Sequence, residues 1–203
     1  ATLNGSSLNV SQLPIGGPYQ FGYTVVDAGC GNVSAVVFLT ATDFPEAGSG
    51  TTLTLCSNGP QVDLFAALGG DPDLGGTWTG PGNVPHNGIF VPGSEPDGNY
   101  TYTVVGTAPC GNASAVINIT VNDPPNAGAN GVLLACDTLT ALSLFNALQG
   151  SPQTGGTWED LDGSGGLTNG SLNTTGIAPG EYYYRYTVSV AGCGNATALV
   201  KVP

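Results

Sequence analysis

Five cysteines, one histidine, two tryptophans and a few closely spaced carboxylates are the residues of this 203-residue chain that could do chemistry. Thiols ligate zinc or oxidise to disulfides. A zinc site wants four nitrogen or sulfur ligands, usually with two cysteines a few residues apart. Cys30, Cys56, Cys110, Cys136 and Cys193 have no such close neighbours, and His86 is the sole imidazole. Disulfide formation is therefore the expected chemistry, and it places the chain in an oxidising, extracytoplasmic compartment.

Which cysteines pair depends on how the chain is organised, and the chain repeats itself about every 80 residues, a period that marks an array. Thr54-Leu55-Cys56, Leu64-Phe65, Ala67-Leu68, Gly75-Gly76-Thr77-Trp78 and Cys110-Gly111-Asn112 recur as Leu134-Ala135-Cys136, Leu144-Phe145, Ala147-Leu148, Gly155-Gly156-Thr157-Trp158 and Cys193-Gly194-Asn195. Residues 1–45 match only the late half of the pattern, so the domains are expected at 1–45 (incomplete), 46–125 and 126–203. Each full repeat holds one early and one late cysteine. Cys56 is expected to pair with Cys110 and Cys136 with Cys193, each bond stabilising its small domain by roughly 4 kcal/mol in the chain-entropy model. Cys30, a late cysteine without an early one, is expected to be unpaired or bonded outside this segment, as in a fragment of something longer.

Helix signals are sparse. Short alternating runs rich in Val, Thr, Tyr and Ile lie between Gly, Pro, Asn and Asp clusters, the pattern of an all-β chain. In the second repeat strands are expected near 51–55, 76–80, 87–91, 99–106 and 113–121, with one or two helical turns over 62–68. An aromatic run recurs in every copy: Tyr19, Phe21, Tyr23; Tyr100, Tyr102; Tyr182, Tyr184, Tyr186. Alternate residues of a strand face one side, so these rings should point at an opposing sheet. A tyrosine-rich penultimate strand, a Cys-Gly-Asn hairpin, a last strand, a Trp and a cystine together indicate tandem, disulfide-stapled immunoglobulin-like β-sandwiches. The cysteine spacing suggests a bridge from a strand end to a turn instead of one through the core. Pro45 and Pro124-Pro125 should stiffen the junctions.

Other reactive groups fare less well against the repeat. Glu159, Asp160 and Asp162 could converge on Ca²⁺, which takes several oxygen ligands, yet the second copy has Thr79, Gly80 and Gly82 there. Only Asp43 and Asp123 recur, at the junctions, where each could cap a turn or join an interdomain ion. No cofactor is expected, with Ca²⁺ the one possible ion. Trp78 and Trp158 could stack on sugars, but two preceding glycines favour core packing. His86 has no counterpart in the third copy, so a Ser/His/Asp site finds no support and no enzyme is expected.

Charge narrows the partners further. Arg185 and Lys201 face 14 acidic side chains, a formal net charge of −12. Such a surface repels nucleic-acid phosphates and anionic lipid headgroups. No run is apolar enough to span a membrane, so neither nucleic-acid binding nor direct membrane insertion is expected.

Asn126-Ala127-Gly128, the Leu64-Phe65-Ala66-Ala67-Leu68-Gly69-Gly70 run, Gly75-Gly76-Thr77-Trp78, Gly98-Asn99-Tyr100-Thr101-Tyr102, and Cys110 before an Ala-rich strand resemble the tandem immunoglobulin-like repeats of very large surface adhesins in gliding and biofilm-forming bacteria. The resemblance covers nearly the whole chain. It implies export across the outer membrane, display on the cell surface and a part in adhesion or gliding motility. It carries over no catalytic residue and identifies no ligand; the partners expected are neighbouring repeats of the same long chain, with surface glycans or an abiotic surface as further candidates. Asp137-Thr138-Leu139 resembles the short O-glycan acceptor motif of related bacteria, which makes Thr138 a candidate modification site. Two rival readings stand beside a stalk: an array of glycan-binding modules, Ca²⁺-dependent or not, and a fibre subunit whose incomplete first copy is completed by strands from another chain.

Overall fold

The computed structural model describes residues 3, 4, 7–10 and 13–203. In the second repeat the alternating runs assemble into two layers. One is a five-stranded sheet in the order Thr51–Cys56, Ala113–Asn122, Gly98–Val104, Thr77–Gly80, Val84–His86. The other holds Val62–Asp63 paired with Ile89–Phe90. Neighbours in the larger sheet are antiparallel except at one edge, where the opening strand runs parallel to the last strand and sets Cys56 beside Asn122. Last, penultimate, tryptophan and following strands in that order, facing a second small layer, give the immunoglobulin-like topology. The third repeat repeats it with Gly131–Val132, Gly194–Val202, Tyr182–Val190 and Thr157–Asp160, against Leu142–Ser143, Ser171–Leu172 and Leu167–Thr168. The strand Val84–His86 was not legible in the sequence, since proline at its centre reads as a break. It pairs only at the sheet edge, where a missing N–H is tolerated.

Period-two alternation fills each core. Tyr100, Tyr102 and Val104 point inward from one strand, and Ala115, Ile117 and Ile119 from its partner, with Leu64 and Phe90 from the facing layer. Tyr184, Tyr186, Val188, Ala198, Val200, Val202, Leu144 and Leu172 do the same in the third repeat. Each large apolar side chain buried this way contributes on the order of 1.5–3 kcal/mol.

The Gly-Gly-Thr-Trp block has a specific geometric cause. A Cβ on Gly76 would lie 2.5 Å from Tyr102 Cζ, so only glycine lets that ring come close. Gly76 N–H then donates to the Tyr102 hydroxyl (2.8 Å), which donates to Asp73 O (2.7 Å). Gly156, Tyr186 and Gln153 O repeat the arrangement at 2.8 and 2.7 Å. Trp78 and Trp158 lean on these tyrosines with ring centroids 5.1 and 4.9 Å apart. A second hydroxyl ties each tyrosine strand back to the chain entering it: Tyr19 to Pro14 O, Tyr100 to Pro96 O and Tyr182 to Ala178 O. That is the tyrosine corner of immunoglobulin-like domains.

The helical segment is one turn, Leu64–Ala67, begun by Asp63, whose carboxylate accepts from Phe65 and Ala66 N–H. Leu68 is extended, which ends it. In the third repeat Ser143 stands where Asp63 does in the second, but the N-cap is Leu144, no side chain caps the turn, and the segment tightens to a 3₁₀ turn over Phe145–Ala147; losing such a cap typically costs about 1 kcal/mol. The junction motif Ala-Gly is the first piece of each sandwich. Ala47 and Ala127 are buried, while Gly48 and Gly128 take φ of +74° and +79° so the chain can bridge to Gly69 and Gln149.

The first repeat contributes the hairpin Gly16–Asp27 with Gly31–Ala41. Tyr23 faces Ala35 there as Tyr102 faces Ala115, but with no second layer against it among the described residues.

Candidate functional site

The cysteines do not pair within repeats. Cys56 is bonded to Cys193, across 137 positions of sequence and from one full repeat to the next, with Cα atoms 4.7 Å apart. Cys110 is half-buried and reduced, and Cys136 and Cys30 are exposed and reduced. This corrects the expected Cys56–Cys110 and Cys136–Cys193 pairs. The cause is strand direction. Cys56 ends an opening strand parallel to Ala113–Asn122, so it lies at the end of the sandwich where that last strand finishes. Cys110 lies just before that strand begins. Ten residues of strand separate the two ends, about 33 Å, whereas a disulfide requires Cα atoms within about 7 Å. The same parallel edge, Gly131 with Val200 and Val132 with Lys201, carries Cys136 away from Cys193. The bridge does join a strand end to a turn; the turn belongs to the following repeat.

Around the cystine the two repeats form a small built interface. Cys193 Sγ lies 3.3 Å from Asn122 O, and Asn122 Nδ2 donates to Ala191 O at 2.9 Å. Gly192, at φ +77°, brings its backbone against Thr54, where a Cβ would come within 2.6 Å of the carbonyl. On the same side, Ser57 Oγ donates to Asp123 Oδ1. Asp123 thus serves the turn leaving the opening strand, and Asp43 accepts from Phe44 N–H.

The acidic cluster of the third repeat is committed to the protein itself. Asp160 accepts from the Asp162 and Gly163 amides through Oδ1 and from Ser164 Oγ and the Gly165 amide through Oδ2. Asp162 accepts from Tyr183 N–H, and Glu159 pairs with Arg185 at 3.1 Å. Among the described residues no group of three or more His, Cys, Asp or Glu side chains is placed to hold a metal ion. Partial burial pushes the Asp160 carboxyl up, but the Ser164 hydroxyl and the three amides outweigh it and hold it below the ordinary carboxylate value. A carboxyl depressed in the folded state stabilises above its unfolded pKa and loses that contribution as pH falls through the folded one. Thermal scans should therefore show the third repeat weakening as pH drops below about 4. Asp160→Ala should cost it about 2 kcal/mol at pH 7 and less at pH 2; an equal cost at both would contradict the assignment.

His86 is likewise occupied: Nε2 sits 3.1 Å from Glu95 Oε1 and Nδ1 accepts from Gly88 N–H. Trp78 is buried, while Trp158 is only half-buried and lines an open cleft of about 340 Å³ with Phe145, Tyr186, Asn169 and Ser171. The sequence did not separate the two tryptophans. The strand beside them differs: Trp78 faces His86 across the ladder, whereas among the described residues Trp158 has no equivalent neighbour strand in its sheet. Thr138 lies exposed in the turn after Cys136, a turn held by Thr174, whose hydroxyl donates toward Cys136 O and accepts from Leu139 N–H.

Fold and site together define an array of immunoglobulin-like β-sandwiches coupled covalently from repeat to repeat. No protein-family model and no curated protein sequence matches the chain. Among solved structures it is similar to extracellular domains 3–5 of Drosophila OTK, at 16% identity and a TM-score of 0.47 over 90% of this chain and 70% of that one. It is similar also to EC1-3 of mouse clustered PcdhgC3, at 16% and 0.38 over 90% and 75%, and to titin domains I67–I69, at 15% and 0.36 over 90% and 73%. At such values the strand order and register, not these neighbours, carry the fold assignment.

Proposed function

We propose that this segment is a load-bearing stalk of an extracytoplasmic adhesin, displayed on a bacterial surface, that holds a distant adhesive region out from the cell during attachment or gliding. The observation that carries the reading is the Cys56–Cys193 cystine. A bond inside one domain protects that domain; a bond from one repeat to the next resists both unfolding of the domains and bending between them, which is what a tether under tension needs. Disulfides persist in oxidising compartments, and a surface with only two basic side chains offers few sites to trypsin-like proteases. Its acidity keeps neighbouring copies apart. His86 and Asp160 are engaged in holding loops. A glycan array probed with the whole chain, with and without EDTA, tests the reading: a stalk gives no specific signal.

The half-buried Trp158 and its cleft favour a second reading, a weak sugar site in the third repeat. Specific binding abolished by Trp158→Ala and retained by the chain in EDTA would establish it and overturn the pure stalk.

A further inference from the structure

The register of the hairpin places Thr42 in the first repeat where Asn122 stands in the second. Tyr23 opposite Ala35 and Tyr102 opposite Ala115 fix the alignment, which also superposes Cys30 on Cys110. At Asn122 three elements meet: the end of the opening strand with Cys56 beside it, the turn of the following repeat with Cys193 Sγ 3.3 Å from the Asn122 carbonyl, and the bond joining them. At Thr42 one of the three is in place. Cys110 Sγ, from the turn of the following repeat, lies 3.4 Å from Thr42 Oγ1. The edge of Gly31–Ala41 that would carry an opening strand is unpaired among the described residues.

We propose that Cys110 is the downstream half of a second inter-repeat cystine. Its partner is a cysteine at the end of an opening strand of the Thr51–Cys56 kind, from the early half of a like repeat, added in parallel along the Gly31–Ala41 edge.

The faces of the hairpin point to the same occupant. Tyr23, Val25 and Val37 are 69, 50 and 63% exposed, where their counterparts Tyr102, Val104 and Ile117 are 2, 8 and 0%. Those counterparts are covered by the early half of their own repeat, Leu64 and Phe90 included. What fits over the hairpin is therefore the early half of a sandwich, the half that carries the early cysteine in each full repeat. Each early cysteine would then bond to the late cysteine of the next repeat, and successive covalent loops would overlap so that no part of the second repeat lay outside one. The inference stands on register and contact and does not depend on the stalk reading.

The bond forms by exchange. A Cys110 thiolate attacks the partner cysteine of a glutathione mixed disulfide, the new S–S bond forms, and glutathione leaves as its thiolate with no net oxidation. The test uses the whole chain, its Cys56–Cys193 bond intact, and a synthetic peptide copying residues 47–58 whose cysteine carries glutathione. Mapping by mass spectrometry should find the peptide on Cys110 at least about tenfold over Cys30 and Cys136, because pairing on the edge raises its effective concentration at one thiol only. The strand runs about 36 Å from its Cys30 end to Thr42, so Cys30 cannot share that advantage. Accessibility alone predicts the opposite order, since Cys30 and Cys136 are exposed and Cys110 is half-buried. A peptide carrying Leu53→Pro and Leu55→Pro cannot complete the ladder and should lose the preference. The proposal is overturned if the peptide distributes as glutathione disulfide alone does, if the proline peptide reaches Cys110 equally well, or if a Cys110–Cys110 dimer forms instead.

Discussion

Pulled by its two termini with the cystine intact, the chain should lengthen by roughly 450–490 Å less than after reduction, at ~3.3–3.6 Å per extended residue over the 137 positions between Cys56 and Cys193. Both full sandwiches lie mostly within that covalent loop. Their hydrogen bonds and cores can fail under load while the end-to-end length hardly changes, because tension passes through the sulfur bridge. Optical-tweezer traces with and without a phosphine reductant would read the difference directly. Pairing within each repeat would instead protect two separate, shorter stretches and leave Cys110 to Cys136 free to extend. A reduction-insensitive contour length, or protection in two independent steps, would remove the inter-repeat bridge and with it the main support for a tether.

Cys193→Ser should lower the stability of the oxidised chain by about 3–5 kcal/mol, the range the chain-entropy model and measured disulfides give for so long a loop. Its effect should reach both repeats. The wild-type chain, with one constraint spanning two cores, should melt with the repeats coupled; the variant should melt at lower temperature and in two separable transitions, like the reduced wild type. Calorimetry of Cys193→Ser beside Cys110→Ser gives the contrast. Cys110 is reduced in this chain, so its replacement should leave the melt unchanged. If Cys110→Ser were the destabilising variant, the bond would run within the second repeat and the parallel edge at Cys56 would be wrong.

The aromatic run, the Gly-Gly-Thr-Trp block and the Cys-Gly-Asn turns each express a local rule: alternation for a two-faced strand, absence of a Cβ under Tyr102 and Tyr186, positive φ at Gly194 in the hairpin. Such rules are written in consecutive residues, so the all-β sandwich, the one-turn helix near Leu64 and the two core tyrosine columns were legible from residue order. The acidic site was less so. Glu159, Asp160 and Asp162 have the composition of an ion-binding loop, and only the folded loop shows four donors already directed at Asp160. Likewise the two tryptophans share a motif, and their unequal exposure depends on whether a neighbouring strand such as Val84–His86 forms.

The sequence by itself determined that there is a repeat, that each full copy is a small sandwich and that cysteines recur at fixed places in it. The tertiary structure alone decided which thiols meet. Alternation has a period of two whichever way a strand runs, so it cannot distinguish a parallel edge from an antiparallel one. Parallel addition of Thr51–Cys56 puts Cys56 beside Asn122, at the end of its domain that touches the next, and an expected staple within each repeat becomes a link between repeats.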